Sequence, residues 1–353
     1  MLFGAKSRPL LGLDITTSSV KLVELGKSGD QYRVESYSAE PTPVNAINEK
    51  NIVDSESVAE AIRRAVKRAG TKTTDVAVAI SGDAAITKII QLPASLSASD
   101  IEGQVELQAD QYIPFPMEEV RHDFEVIGPN ARDEEMLDVL LVATRTENVE
   151  QRQAAVESAG LRGRVMDVES FALENACRLL THQMPDNGVN ATVAVVDFGA
   201  SSTTFSVLRN MKVVYTRDFA FGGQQLTEEI MRTYGLSMED AGRAKKEGGL
   251  PSNYEPEVLD PFIDDMCQQV SRSLQFFLAA GGGREQPDQI IVCGGCANIP
   301  GVDELIASRV GIPTVIGDPL GQMKVSSRAK SQGVKKDATA LLTALGLALR
   351  SFD

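Results

Sequence analysis

The 353-residue sequence has only four cysteines, Cys177, Cys267, Cys293 and Cys296, and two histidines, His122 and His182. So few cysteines over this length exclude a disulfide framework and point to a reducing compartment. A structural zinc site wants four Cys or His ligands. One C-x-x-C, two distant cysteines and no histidine pair do not supply them. Long apolar runs are also missing. No window approaches the roughly 18–20 apolar residues of a membrane-spanning helix, and the opening MLFGAKSRPLLGLDI lacks the apolar stretch of a signal peptide. Positive charge is short as well, with 35 Lys and Arg against 49 Asp and Glu and a net charge of −14. That balance disfavours broad binding to nucleic acid or anionic lipid, although small anions remain able to bind backbone amides. A soluble cytoplasmic protein is expected.

What the chain does have is enough apolar content, 42%, to bury a core, and a length that suits two or three domains. LLGLDI and VKLVEL read as strands joined at TTSS into a hairpin. SESVAEAIRRAVKRAG (55–70) reads as an amphipathic helix, with Asp54 or Ser55 as cap and Gly70 as stop. DVAVAISG (75–82) reads as a buried strand. From near 84 to 160 the texture changes to strand, helix, two paired strands and helix, which suggests a subdomain of about 80 residues. RVMDVESFALENACRLL returns to strand and helix. Residues 191–223 read as three strands, followed by helical stretches, the strand IIVC, a helix at VDELIASRV and a terminal helix at DATALLTALGLALR. The Gly/Ser/Lys-rich GQMKVSSRAKSQGVKK before that helix is expected to be mobile.

Two stretches 183 residues apart match. LLGLDITTSSVKLV and AVVDFGASSTTFSV share an apolar run, an aspartate (Asp14, Asp197), a Ser-Ser pair (Ser18-Ser19, Ser201-Ser202) and a second strand. Each stands at the first strand–turn–strand of its half, which suggests a duplicated domain. Turns of small hydroxyl residues expose backbone N–H and Oγ donors that can cradle phosphate. An Asp ending the first strand can hold the water shell of a magnesium ion. One such turn alone is most simply a polar hairpin turn; a matched pair suits a di- or triphosphate. IIVCGGCANIPG (290–301) is a glycine-rich loop whose Cys293-x-x-Cys296 also fits a redox dithiol after a strand.

These features resemble the actin/Hsp70/sugar-kinase superfamily, whose five motifs all have matches here, in order. They are the first phosphate hairpin GLDITTSSVK (12–21), the first connecting helix ESFALENACRLL, the second phosphate hairpin VVDFGASSTTFSV, the adenosine loop IIVCGGCANIPGVDEL and the second connecting helix DATALLTALGLALR. The resemblance implies an α/β fold of duplicated ribonuclease-H-like domains around a nucleotide cleft. Residues 84–160 resemble the 1C subdomain of FtsA-type proteins. The implied organisation is 1–83 with 161–189 as subdomain 1A, 84–160 as 1C, 190–223 with 288–353 as 2A, and 224–287 as 2B. Length, the SRSLQFF helix and the GLALR ending look most like the PilM family of type IV pilus assembly, in the FtsA/GspL-like branch.

The resemblance implies ATP or ADP with Mg²⁺ as cofactor and, at most, slow ATP hydrolysis. Asp14 and Asp197 would support the metal. Thr16, Thr17, Ser18, Ser19 and Lys21 would contact phosphates, opposed by Asp197, Gly199, Ser201, Ser202 and Thr203. Gly222 and Gly223 suit a close pass of nucleotide, and Gly294, Gly295, Cys296, Asn298 and Ile299 would line the adenosine, with both loop cysteines reduced to small side chains beside it. Lys245 would reach the ribose, where relatives have a Glu–Lys pair and this chain has Gly242 in the Glu place. Thr16 stands where many relatives have Gly. Glu169 would orient the hydrolytic water, although a carboxylate at a helix start is also favoured by the dipole. The implied partners are the N-terminal cytoplasmic tail of PilN at the 1A/1C region, PilO and PilP indirectly, pilus motor ATPases and a second copy of the chain. Nucleic acid and direct membrane insertion are not expected, since only three residues follow Arg350 and leave no place for an anchoring helix. An FtsA-like division filament protein and a small-molecule kinase are the alternatives.

Overall fold

The computed structural model describes residues 9–48, 51–130, 132–281 and 286–353, so most of the N-terminal stretch read for a signal peptide lies outside it. The chain opens with β1 (Leu11–Ile15), β2 (Ser19–Ser28) and β3 (Gln31–Pro41), then a short β4–β5 pair (Ile47–Asn48, Asn51–Ile52). Helix α1 (Ser55–Ala69) follows. The Asp54 carboxylate accepts from Ser57 N–H at 3.0 Å, and Gly70 closes the helix at φ 62°. Each device satisfies backbone groups that a helix end leaves open. Strands β6 (Asp75–Ile80), β7 (Ala85–Pro93), helix α2 (Ala98–Ala109), β8 (Val120–Pro129), β9 (Met136–Arg145), α3 (Thr146–Ser158), β10 (Arg162–Val168) and α4 (Glu169–Cys177) complete the first half.

The second half repeats the plan with β11 (Thr192–Phe198), β12 (Thr203–Arg209), β13 (Lys212–Phe219), α5 (Gly223–Tyr234), α6 (Met238–Glu247), α7 (Asp260–Ala279), β14 (Gln289–Cys293), α8 (Val302–Val310) and β15 (Thr314–Ile316). The chain then crosses back through β16 (Lys324–Val325) and α9 (Ser327–Ser331) to α10 (Leu342–Leu349). The first sheet runs β10-β6-β1-β2-β3-β16 and the second β13-β12-β11-β14-β15. In both, an antiparallel meander of three strands is extended by two parallel strands on the side of the first. The duplication expected from the matched hairpins is therefore a duplication of topology.

Helices α4 and α10 lie between the sheets. Ala344, Leu345 and Ala348 of α10 pack with Val23, Leu25 and Val34 of the first sheet. Leu173, Ala176 and Cys177 of α4 pack with Val193, Val195, Ile291 and Leu342. The contacts leave no room for side chains. A β-carbon at Gly12 of β1 would lie 1.9 Å from Ala344 O, and one at Gly346 would lie 1.8 Å from Ala172 O. Among the described residues, no helix is long and apolar enough to cross a membrane.

Three expectations shift. Residues 84–145 form a separate three-stranded sheet, β7-β9-β8, with its own core under α2. Helix α3, read as part of that unit, instead buries Ala155 and Val156 against Ala61, Ile62 and Ala65 of α1. Helix α2 ends at Ala109, before the Pro114 at which SASDIEGQVELQADQYIPF reads as stopping. The stretch GQMKVSSRAKSQGVKK, read as mobile, is folded onto the first sheet: Ser326 N–H donates to Val34 O at 2.9 Å and Ser326 Oγ to Glu35 O at 2.6 Å. Gln332 accepts from Tyr37 N–H at 2.9 Å and donates to the Arg68 and Ala69 carbonyls. Hydrogen bonds to the main chain of the first half, which composition does not encode, order this segment.

Replacing Gly346 by Ala should cost about 3 kcal/mol or more, because backbone on both helices must move. Gly103→Ala in α2, where nothing lies within 4 Å of the added methyl, should gain about 0.5–1 kcal/mol. Urea unfolding of both variants checks the pair.

Candidate functional site

The β1–β2 turn is held by its own side chain. Thr16 N–H and Thr16 Oγ1 both donate to Ser19 O, at 3.0 and 2.9 Å, and Ser19 N–H donates back to Thr16 Oγ1 at 3.2 Å. Thr16 hence spends its hydroxyl on the turn, doing by hydrogen bonding what glycine does by flexibility. Thr42 braces the turn from outside through its N–H to Ser18 O and its hydroxyl to Thr16 O. The β11–β12 turn closes through Gly199 N–H to Ser202 O at 3.0 Å. A β-carbon at Gly199 would lie 2.7 Å from Ser202 O.

The two turns meet. Thr17 Oγ1 donates to Ser201 Oγ at 3.1 Å. Among the described residues, the amides of Thr17, Ser18, Ser201 and Ser202 have no hydrogen-bond acceptor. Thr203, read as part of the opposing clamp, is fully buried, and its hydroxyl donates to Phe221 O at 2.7 Å. It belongs to the sheet rather than to the opening.

Two loops close on the second turn. Gly223 N–H donates to Gly199 O and Gln224 N–H to Ala200 O. A β-carbon at Gly222 would lie 2.4 Å from Ala200 O, and one at Gly294 would lie 2.2 Å from Phe198 O. Gly294 also has φ 88°, a left-handed value that favours glycine. These two glycines serve loop packing. Gly295, by contrast, is exposed with nothing within 4 Å of an added β-carbon. Asn298 is exposed, while Ile299 packs against the second-half core.

Two lysines and one arginine supply positive charge. Lys21 Nζ lies 2.9 Å from Asp14 Oδ2. Burial opposes the charge on Lys21, but Asp14, with Asp197 and Asp337 beyond it, outweighs burial and lifts its pKa above the ordinary lysine value. Lys245 Nζ donates to Gly223 O at 2.7 Å and Thr227 Oγ1 at 2.6 Å, both neutral acceptors. Burial lowers its pKa, only partly offset by Cys296. Sequence reading overlooked Arg152. It is 2% exposed, donates to Ala79 O at 2.7 Å and feels the charges of Glu169, Asp83 and Asp14. Its signal was its register: Arg152 lies four residues before Val156, on the buried face of α3. Glu169 is the first residue of α4 and acts electrostatically on Arg152. Among the described residues, no group of three or more His, Cys, Asp or Glu could hold a metal by itself.

The C-x-x-C cysteines face different ways. A β-carbon on Gly317 would lie 2.4 Å from Cys293 Sγ, so that thiol points toward β15. Cys296 Sγ points to Gly199 O at 3.9 Å. All four cysteines are free and buried. Cys296 therefore packs behind the turn instead of lining an open pocket. Burial pushes its thiol up to about 11, against about 8.5 for a free cysteine. At pH 8 about 0.1% is thiolate rather than about a quarter. Iodoacetamide should then label Cys296 at least about a hundredfold more slowly than a free thiol, with the rate climbing as pH rises toward 11 and restored by urea. Mass spectrometry of the labelled peptide reads this out; free-thiol rates at pH 8 would refute the placement.

Comparison with known proteins fits this geometry. The family type IV pilus assembly protein PilM matches residues 12–352. A solved PilM-PilN type IV pilus biogenesis complex superposes with a TM-score of 0.81 at 28% identity, covering 98% of this chain and 99% of that one. The cell division protein FtsA of Bacillus subtilis (strain 168) is 24% identical over 361 residues, 87% of this chain and 79% of its own length. The ethanolamine utilization protein EutJ from Carboxydothermus hydrogenoformans shares the fold at a TM-score of 0.56 and 18% identity, covering 96% of this chain and 89% of its own. MreB5 of Spiroplasma citri bound to AMPPNP does so at 0.50 and 14%, covering 99% and 97%. With matched hairpins, repeated sheets and a family match across nearly its whole length, the chain belongs to the type IV pilus assembly protein PilM family.

Proposed function

We propose that the chain is an ATP-binding scaffold of the pilus inner-membrane assembly complex, which docks the N-terminal tail of PilN and responds to nucleotide by changing how its halves meet. The observation that carries this reading is the Thr17–Ser201 hydrogen bond across the matched turns. A polyphosphate inserted there replaces one hydroxyl contact with several charge-assisted ones, from the hydroxyls and the acceptor-free amides of both turns. Lys21 would turn from Asp14 toward phosphate, and Asp14 and Asp197 would hold the water shell of Mg²⁺, which would offset phosphate charge. Lys245, a half-buried cation with neutral partners, gains an anion. Gly295 and Asn298 border the adenosine. In this reading Thr16, Ser19, Thr203, Gly199, Gly222, Gly223, Gly294, Cys296 and Ile299 shape the site. Glu169, held near Arg152, orients water for slow hydrolysis. A solved relative is a PilM-PilN complex and a structural neighbour is bound to AMPPNP, which supports both halves of the proposal.

Isothermal titration with Mg-ATP should show saturable binding. Lys245→Ala should weaken it at least tenfold, since a hydrogen bond from a charged donor is worth about 1.5–3 kcal/mol. Glu169→Gln should retain binding and reduce any turnover. No binding by the unaltered chain refutes the nucleotide reading.

PilN docking is tested separately. A synthetic peptide of the PilN cytoplasmic tail from the same organism should bind, and hydrogen-exchange protection should fall on residues 84–160 and the adjoining first sheet. Absence of binding refutes the docking role and leaves the nucleotide reading standing.

A further inference from the structure

We infer that a basic groove at the meeting of the two sheet edges binds an acidic, extended peptide segment of a protein partner. The groove has a volume of about 1090 Å³ and follows the crossing segment from Ile316 to Thr339. No residue assigned above to nucleotide lines it, and none from 84–160 does.

Its charge runs against that of the molecule. The whole chain has 49 acidic and 35 basic side chains. The groove has Arg33, Lys324, Lys330 and Lys335 against Asp318 alone. Arg33 is engaged by Glu35 at 2.6 Å. Among the described residues, no carboxylate pairs with Lys324, Lys330 or Lys335. Three unpaired lysines around one concavity repel each other until a polyanion enters.

The backbone distinguishes a peptide from a simple anion. Strand β16 is the last strand of the first sheet and, among the described residues, pairs only with β3, in parallel, through Lys324↔Arg33 and Val325↔Val34. Ser326 N–H donates to Val34 O. Because bonding groups alternate along a parallel strand, Val325 directs its own N–H and C=O away from β3, into the groove it lines. An extended chain can pair with that edge, as peptides commonly do with open sheet edges; a phosphate cannot. Thr339 also lines the groove, with a buried hydroxyl that has no partner among the described residues.

The probe is a short fluorescein-labelled peptide alternating glutamate with valine and threonine, followed by fluorescence anisotropy with the full chain. Binding should weaken markedly between 50 and 500 mM NaCl. The K324E/K330E/K335E variant should weaken it at least tenfold while keeping its thermal midpoint. Val325→Pro, which removes the groove-facing N–H, should weaken it severalfold, whereas Val325→Ala, which trims the packed side chain and keeps that N–H, should not. Three outcomes overturn the inference: equal binding of the same peptide with lysine for glutamate, unchanged binding by the triple variant, or displacement by tripolyphosphate as effective as by unlabelled peptide.

Discussion

The architecture depends on one steric constraint, the absence of a β-carbon at two faces of α10. Gly12 lets the helix settle against β1, and Gly346 lets it settle against α4 at Ala172. Asn175 Nδ2 donates to Gly346 O at 3.1 Å across the same contact. With both faces closed, α4 and α10 form one slab, with the first sheet on one side and the second on the other. Any side chain at either glycine would push the sheets apart and separate the turns that the sheets present. The meeting of Thr17 and Ser201 is therefore a remote consequence of how closely two helices cross.

The slab also fixes electrostatic order. α4 begins at Glu169, immediately after β10, and α3 brings Arg152 under the same end of the sheet. Buried guanidinium is costly to leave unpaired, so Arg152 ties the carboxylates of Glu169, Asp83 and Asp14 to one location. Asp14 is shared, because Lys21 holds it from the other side. Charge near the first turn is thus arranged in advance of any ligand, and an entering anion re-sorts existing pairs instead of creating new ones.

What was legible in the sequence was local. The α1 caps, the two hairpins and their correspondence each reside in a few contiguous residues whose chemistry admits few alternatives. Placing Thr16 in the first turn was legible too, but its role was not, since the hydroxyl's choice of Ser19 O over solvent depends on the turn's three-dimensional closure. The less legible features were tertiary. Helix α3 has apolar positions that suit either neighbour, and only the fold selects α1. The stretch GQMKVSSRAKSQGVKK has sparse apolar residues, Met323, Val325, Ala329 and Val334, too few for a periodic signal, yet all are drawn into the first-half core. Cys296 was assigned to a pocket wall from its position in a loop; the direction of its side chain was set by Gly199 and Gly223, which lie far away in sequence.

The crossing segment gives the fold a second coupling between its halves. It leaves β15, adds β16 to the first sheet and returns to hold Gly294 N–H through Thr339 O at 2.7 Å. Gly294 in turn presses on Phe198, the residue that leads into the second turn. A ligand on β16 and a ligand between the turns would therefore load opposite ends of one short chain of contacts. Coupling between sites needs an element that both can bias, and here that element is the segment from Lys324 to Thr339, anchored at Val34 on one end and at Gly294 on the other. If the groove and the turns are both occupied in the assembled complex, each affinity must depend on the other by the same factor, because linkage between binding sites is reciprocal.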